Sequence, residues 1–108
     1  MKIIGLVLIS IFSISCNKIK NAPYCIQEKT ENFKSNSICE EGSKVKEYKF
    51  QGEIVYLFEN GNCGADIASG VFDSECNELG WIGGFTGNTK INGEEFSNAR
   101  YRRTIWRQ

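Results

Sequence analysis

Histidine is absent from the chain, and with it the side chain that most often serves as general base or metal ligand near neutral pH. No one sign of charge dominates: 13 lysines and arginines face 13 aspartates and glutamates. A balanced chain sets up no strong field for nucleic acid, so nucleic acid is not an expected partner. No apolar run reaches the roughly 20 residues that a membrane-spanning helix needs. There is no repeat, low-complexity block, serine elbow or Cys-x-x-Cys pair. These absences weigh against histidine-based hydrolysis, thiol catalysis and the usual zinc sites, and imply no cofactor.

The N-terminus carries a targeting pattern. Lys2 is followed by the apolar run Ile3 to Ile14, then by Ser15 and Cys16. A short charged start, an apolar core and small residues before a break describe a secretory signal peptide over residues 1–15. Ser13-Ile14-Ser15-Cys16 resembles a loose bacterial lipobox, with serine where leucine usually stands three residues before the cysteine. Lipidation of Cys16 also explains the odd count of five cysteines. More than one acyl chain suffices for stable membrane attachment. Residues 16–21 are then a lipidated tether and 22–108 a single small domain. Loss of Lys2 leaves 12 basic residues against 13 acidic ones.

In the mature part, Asn21 is placed to cap a helix with Pro23 in its first turn. Ile26, Thr30 and Phe33 share one face, so residues 22–35 read as one amphipathic helix. Lys44 to Phe50 alternates charged with apolar residues and reads as a half-exposed strand. Gln51-Gly52 is a two-residue turn that sets Phe50 opposite Glu53 and Tyr48 opposite Val55. Ile54 to Phe58 is apolar without interruption, which marks a central strand covered on both faces. Asn60-Gly61-Asn62 is a turn. Ile67 to Phe72 is a strand in which Ser69-Gly70 suggests a bulge. Leu79 to Ile82, a turn at Ile91 to Glu94, a helical turn near Glu95 to Ala99 and a last strand at Tyr101 to Trp106 complete the chain. The fold class is α+β: one N-terminal helix on a small, mainly antiparallel sheet, stapled by disulfides.

Val55-Tyr56-Leu57-Phe58, Cys63, Phe72-Asp73-Ser74, Cys76, Gly83-Gly84-Phe85-Thr86-Gly87 and Ile105-Trp106 together resemble a small-lipoprotein domain family of unknown function from Bacteroidetes. The resemblance runs from about Tyr48 to Trp106. It implies a compact α+β domain exported to the periplasm or outer membrane, and it implies no activity.

Four groups of residues invite chemistry. Cys25, Cys39, Cys63 and Cys76 allow three pairings, and the sequence-local one, Cys25–Cys39 with Cys63–Cys76, is the expected pair of disulfides. Asp73, Glu75, Asn77 and Glu78 crowd one turn that reads as solvated rather than calcium-binding. Asp66 and Asp73 are the carboxylates that a small hydrolase, the alternative function, would use. Arginines 100, 102, 103 and 107 are interleaved with Tyr101 and Trp106, so that on a strand Arg100, Arg102 and Trp106 share one face and Tyr101, Arg103, Ile105 and Arg107 the other. Strand-edge charges of this kind block aggregation. Finally, Gly80 to Gly87 holds four glycines with Trp81 and Phe85 between them. Aromatics and arginines are the anchors that recognition surfaces favour, which makes Trp81, Phe85, Arg100 and Arg102 the candidate binding residues. The function expected from these features is a lipid-anchored periplasmic or outer-membrane protein that binds an envelope protein or a small ligand without catalysis.

Overall fold

The computed structural model describes residues 21–61, 63–64 and 67–108. The signal peptide, Cys16, most of the tether, Asn62 and Asp66 lie outside the described residues. Helix α1 (Tyr24–Ser35) is followed by strands β1 (Lys44–Phe50), β2 (Glu53–Glu59), β3 (Ala68–Asp73) and β4 (Glu78–Gly83). A small hairpin of β5 (Lys90–Ile91) and β6 (Glu94–Glu95), then a 3₁₀ turn at Phe96–Asn98, lead to β7 (Arg100–Arg107). The large sheet has five strands in the order β4-β3-β2-β1-β7, antiparallel throughout. No helix among the described residues is long and apolar enough to cross a membrane.

The expected helical face is the buried one: Ile26 and Thr30 are buried and Phe33 packs on the same cluster. Thr30 lies there without penalty because its hydroxyl donates to the Ile26 carbonyl at 2.7 Å. The helix begins later than the sequence suggests. Pro23 is the N-cap, and no side chain caps the first turn. Asn21 instead offers its backbone carbonyl to Arg103.

The β1–β2 hairpin has the expected register, Phe50 against Glu53 and Tyr48 against Val55. Gln51 and Gly52 both take positive φ, 52° and 80°, the turn whose twist suits paired strands. Strand β2 is covered twice. Tyr56 and Phe58 join Ile26, Val45, Phe72, Ile105 and Trp106 under the helix, with Ile54 packed beside them. Val55 and Leu57 pack with Phe50, Val71, Ile91 and Phe96 on the other face. There the β5–β6 hairpin and the 3₁₀ turn form the connection from one sheet edge to the other.

Strand β1 alternates as expected: Val45, Glu47 and Phe50 are buried, Lys44, Lys46 and Tyr48 are partly exposed and Lys49 is exposed, with β7 paired along its side. Two local expectations change. The irregularity expected at Ser69-Gly70 lies instead between Val71 and Phe72, where β4 supplies the extra residue Leu79. Strand β7 carries two irregularities of its own: Val45 and Lys46 face Trp106 and Thr104, while Glu47 and Tyr48 face Arg103 and Tyr101. Ile105 and Arg102 are the extra residues, and each irregularity turns two successive side chains to one side. Strict alternation along β7 is thereby broken: Ile105 and Trp106 enter the same cluster.

The disulfides are Cys25–Cys76 and Cys39–Cys63, not the sequence-local pairs. The reason is length. Cys25 is in the first turn of a 12-residue helix and Cys39 follows its far end; such a helix is about 18 Å long. Strand β3 separates Cys63 from Cys76 in the same way, by six residues or about 20 Å. A disulfide needs Cα atoms within about 7 Å, and the observed pairs meet it at 6.2 and 5.5 Å. One bridge fastens each end of the helix region to the sheet.

Candidate functional site

Five aromatic rings form a ladder beneath the helix. Trp106, Phe33, Phe58, Phe72 and Trp81 meet edge to face in that order, with centroid separations of 6.1, 5.3, 5.5 and 6.2 Å. Edge-to-face contact suits the ring quadrupoles and adds to area burial. The ladder runs from β7, through α1, to β4 at the opposite edge. Its outer end is open: Trp81 is 44 % exposed.

That open end is a groove of about 300 Å³ between α1 and strands β3 and β4. Phe58, Phe72 and Trp81 give it apolar walls, and Gly70 lies among them. Gly70 pairs with Trp81 across the strands, and a Cβ there would stand 2.7 Å from the Phe72 ring and 3.1 Å from the Trp81 ring. Glycine therefore lets the indole lie close over the backbone. The Trp81 Nε1 donates to Glu78 Oε2 at 2.9 Å, which fixes the ring. Carboxamides from Asn32, Asn36 and Asn60 border the groove. Lys29 Nζ stands 4.1 Å from the Phe72 ring centroid, and Lys29 forms no ion pair among the described residues. Apolar walls with a few convergent polar groups are what small-ligand sites use.

Phe85 is 88 % exposed in the turn after β4. Gly87 N–H donates to the Gly84 carbonyl at 3.1 Å and Gly83 N–H to the Asn88 carbonyl at 2.7 Å. Asn88 Nδ2 reaches back to the Trp81 carbonyl at 2.7 Å. These bonds fold the turn against β4, so Phe85 shares an edge with Trp81 without lining the groove. Gly84, at φ 78°, lies so close to Ala68 that a Cβ would meet the alanine methyl at 3.0 Å.

Arg100 and Arg102 are not neighbours of this edge. They lie on β7, four strand spacings from β4, or about 19 Å. The proposed combination of Trp81, Phe85 and the two arginines is thus divided between opposite edges.

Arg102 has a different task. Its Nε donates to Glu47 Oε2 at 2.7 Å, while Arg103 donates from Nε at 3.1 Å and from Nη2 at 3.0 Å to Oε1. Glu47 is only 3 % exposed. Burial works to raise its pKa, and the donors from Arg102 and Arg103 more than reverse that, holding the carboxyl below its usual range. Neighbouring Tyr56 is pushed up to about 12 by burial and by the Glu47 carboxylate. Glu47 lies in phase with core-facing Val45, a position that the half-exposed strand pattern leaves on its covered face.

Asp73 belongs to its own turn. Its Oδ1 accepts the backbone N–H groups of Glu75 and Asn77, both at 2.9 Å, and its Oδ2 accepts from Asn77 Nδ2 at 3.0 Å. The carboxylate is committed to shaping a loop, and Asp66 lies outside the described residues. Among the described residues no three acidic or cysteine side chains converge as metal ligands do.

The groove residues contributed by α1 and by Asn60 escaped the sequence reading. The helical periodicity marked Phe33 as core-facing, but nothing local showed that Lys29 and Asn32 flank a gap beside Trp81.

The chain belongs to the family described as a domain of unknown function, DUF6970, which matches residues 31–108. That span includes every strand and leaves out the first turns of the helix together with Cys25. No curated protein and no solved structure is detectably similar to it. The two disulfides indicate an oxidising, exported environment.

Proposed function

We propose that this chain is a lipid-anchored binding module of the bacterial envelope, holding a small ligand or a segment of an envelope protein at the Trp81 edge of its sheet and performing no chemistry on it. The observation that carries this reading is the groove itself. An indole 44 % exposed ends a buried ladder of rings, with carboxamides and the Lys29 ammonium around it. Such a ring is rigid, so little conformational freedom is lost when a ligand covers it. Phe85 extends the apolar surface along the same edge. The anchor reading rests on Ser13-Ile14-Ser15-Cys16 and on cysteine arithmetic: the two disulfides take four of the five cysteines and leave Cys16 over.

Two measurements test the proposal. Intact mass of the membrane-extracted protein should match a chain beginning at Cys16 with acyl groups added; an unmodified mass rejects the anchor. Crosslinking in intact envelopes should recover a bound species with wild type and much less with a Trp81→Ala, Phe85→Ala variant of unchanged circular dichroism. Equal recovery by both rejects the groove.

A further inference from the structure

The formal neutrality of the chain conceals a segregation of charge that the strand order creates. From Glu53 to Thr89 the sequence holds six carboxylates and no lysine or arginine; this stretch supplies β2, β3 and β4. Strands β1 and β7 hold seven lysines and arginines against one carboxylate, Glu47. Because β7 leaves the connection to pair beside β1 rather than beside β4, the basic strands are adjacent at one side of the sheet and the acidic ones occupy the other. Glu47 engages Arg102 and Arg103, and Lys46 pairs with Glu59 at 3.0 Å. Arg100 and Arg107, at the two ends of β7, are exposed and form no ion pair among the described residues. Between them Tyr101 is 57 % exposed, meeting Tyr48 edge to face with centroids 5.9 Å apart, with its hydroxyl bonded to Thr104 Oγ1 at 2.8 Å.

The chain enters the domain at this same edge. The Asn21 carbonyl accepts from Arg103 Nη2, in the middle of β7. Cys16 stands five positions before Asn21, a reach of at most about 17 Å. The β4 edge is about 19 Å further across the sheet. An anchor at Cys16 therefore keeps the middle of β7 within that reach of the membrane and sets no such limit on β4. Lys18 and Lys20 add two more positive charges to the intervening sequence.

We infer that the β7 edge, through Arg100, Tyr101 and Arg107, docks the domain on anionic phospholipid headgroups. This inference rests on the lipid-anchor reading. Arginines bind lipid phosphates through paired N–H donors, and tyrosine suits the boundary between headgroups and acyl chains. With the acyl chains supplying attachment, a basic patch beside them adds attraction to anionic headgroups and so orients the domain. The contact gives the domain one orientation, with the acidic side and the Trp81 groove turned away from the lipid surface.

The test uses the lipidated protein reconstituted into vesicles of phosphatidylcholine alone or with phosphatidylglycerol. The acyl chains anchor it to both, so only the contact of the folded domain differs. Backbone hydrogen exchange over residues 100–107 should slow in the anionic vesicles and not in the neutral ones, and residues 78–83 should be unchanged. Raised salt should remove the difference. A second arm measures association of the unlipidated Cys16→Ser protein with the anionic vesicles, which should weaken roughly fivefold for each of Arg100→Gln and Arg107→Gln. Protection over 100–107 that is independent of lipid charge overturns the inference, as does protection at β4. Protection at both edges with concentration-dependent mass in solution assigns the edge to a second copy of the chain and also overturns it. Failure to anchor to neutral vesicles would reject the lipid-anchor reading separately, because the second arm does not depend on acylation.

Discussion

Arg102 and Arg103 are neighbours in the chain, yet both grip the one carboxylate of Glu47. Successive residues of a regular strand point to opposite faces. The extra residue at Arg102 in the β1–β7 register removes that restriction. The irregularity lets a buried carboxylate on a central strand receive two guanidinium groups from an edge strand, and one of them also holds the incoming chain at Asn21.

Acid sensitivity should follow from Glu47. Its folded pKa lies below the unfolded value, so its contribution is full above the unfolded carboxylate pKa of about 4.3 and is lost as pH falls through the folded value. Asp73 shifts in the same direction, the donors of its turn outweighing burial. The thermal midpoint should hold from neutral pH down to about 5 and decline below about 4. Glu47→Gln should lower stability at neutral pH by about 1–3 kcal/mol, less than for a fully buried pair because both guanidinium groups reach solvent. It should also flatten the acid slope; a wild-type slope in the variant would remove Glu47 as its cause.

Alkaline titration should single out Tyr56. Its phenol is held neutral up to about 12, against about 10 for a free tyrosine. A raised pKa of this kind means that the native state keeps a proton the unfolded chain gives up. Stability should then fall as pH rises from about 10 towards 12. Phenolate absorbance should show a late-titrating tyrosine that is absent from Tyr56→Phe.

Non-reducing peptide mapping should join Cys25 to Cys76 and Cys39 to Cys63. These loops separate their cysteines by 51 and 24 residues, for which chain entropy gives about 4 and 3.5 kcal/mol. Removing Cys25 and Cys76 together should lower the denaturant midpoint more than removing the other pair. A peptide joining Cys25 to Cys39 would contradict the helix between them.

Leu57→Ala should lower unfolding free energy by about 2–5 kcal/mol, because Leu57 fills the face of β2 beneath the β5–β6 connection. An unchanged urea midpoint would show that this connection does not cover the sheet.

Gly70→Ala should displace the Trp81 indole, since the new methyl group falls 2.7 Å from the Phe72 ring and 3.1 Å from Trp81. A cost of about 1–3 kcal/mol is expected, with a shift in tryptophan emission and weaker groove binding. Unaltered emission would mean that the indole does not lie over Gly70.

Much of the fold was legible in local sequence. The period of Ile26, Thr30 and Phe33 determined the helix and its inward face. Gln51-Gly52 determined the hairpin register, and the run Ile54 to Phe58 determined a strand covered twice, because each of these signals acts between residues close in the chain. The helix even carried the clue against pairing Cys25 with Cys39, since a rigid rod keeps its ends apart. What the sequence could not determine was which strand flanks β1. That choice depends on a connection crossing the second face, through contacts of Ile91 and Phe96 with Phe50, Val55 and Leu57. It buried Glu47, gave Arg102 a carboxylate to bind, and put Arg100 and Arg102 on the edge away from Trp81. It also turned a neutral composition into a sheet with a basic and an acidic side. Strand pairing at long range is decided by summed burial and hydrogen bonding over the whole sheet, and no single segment contains that sum.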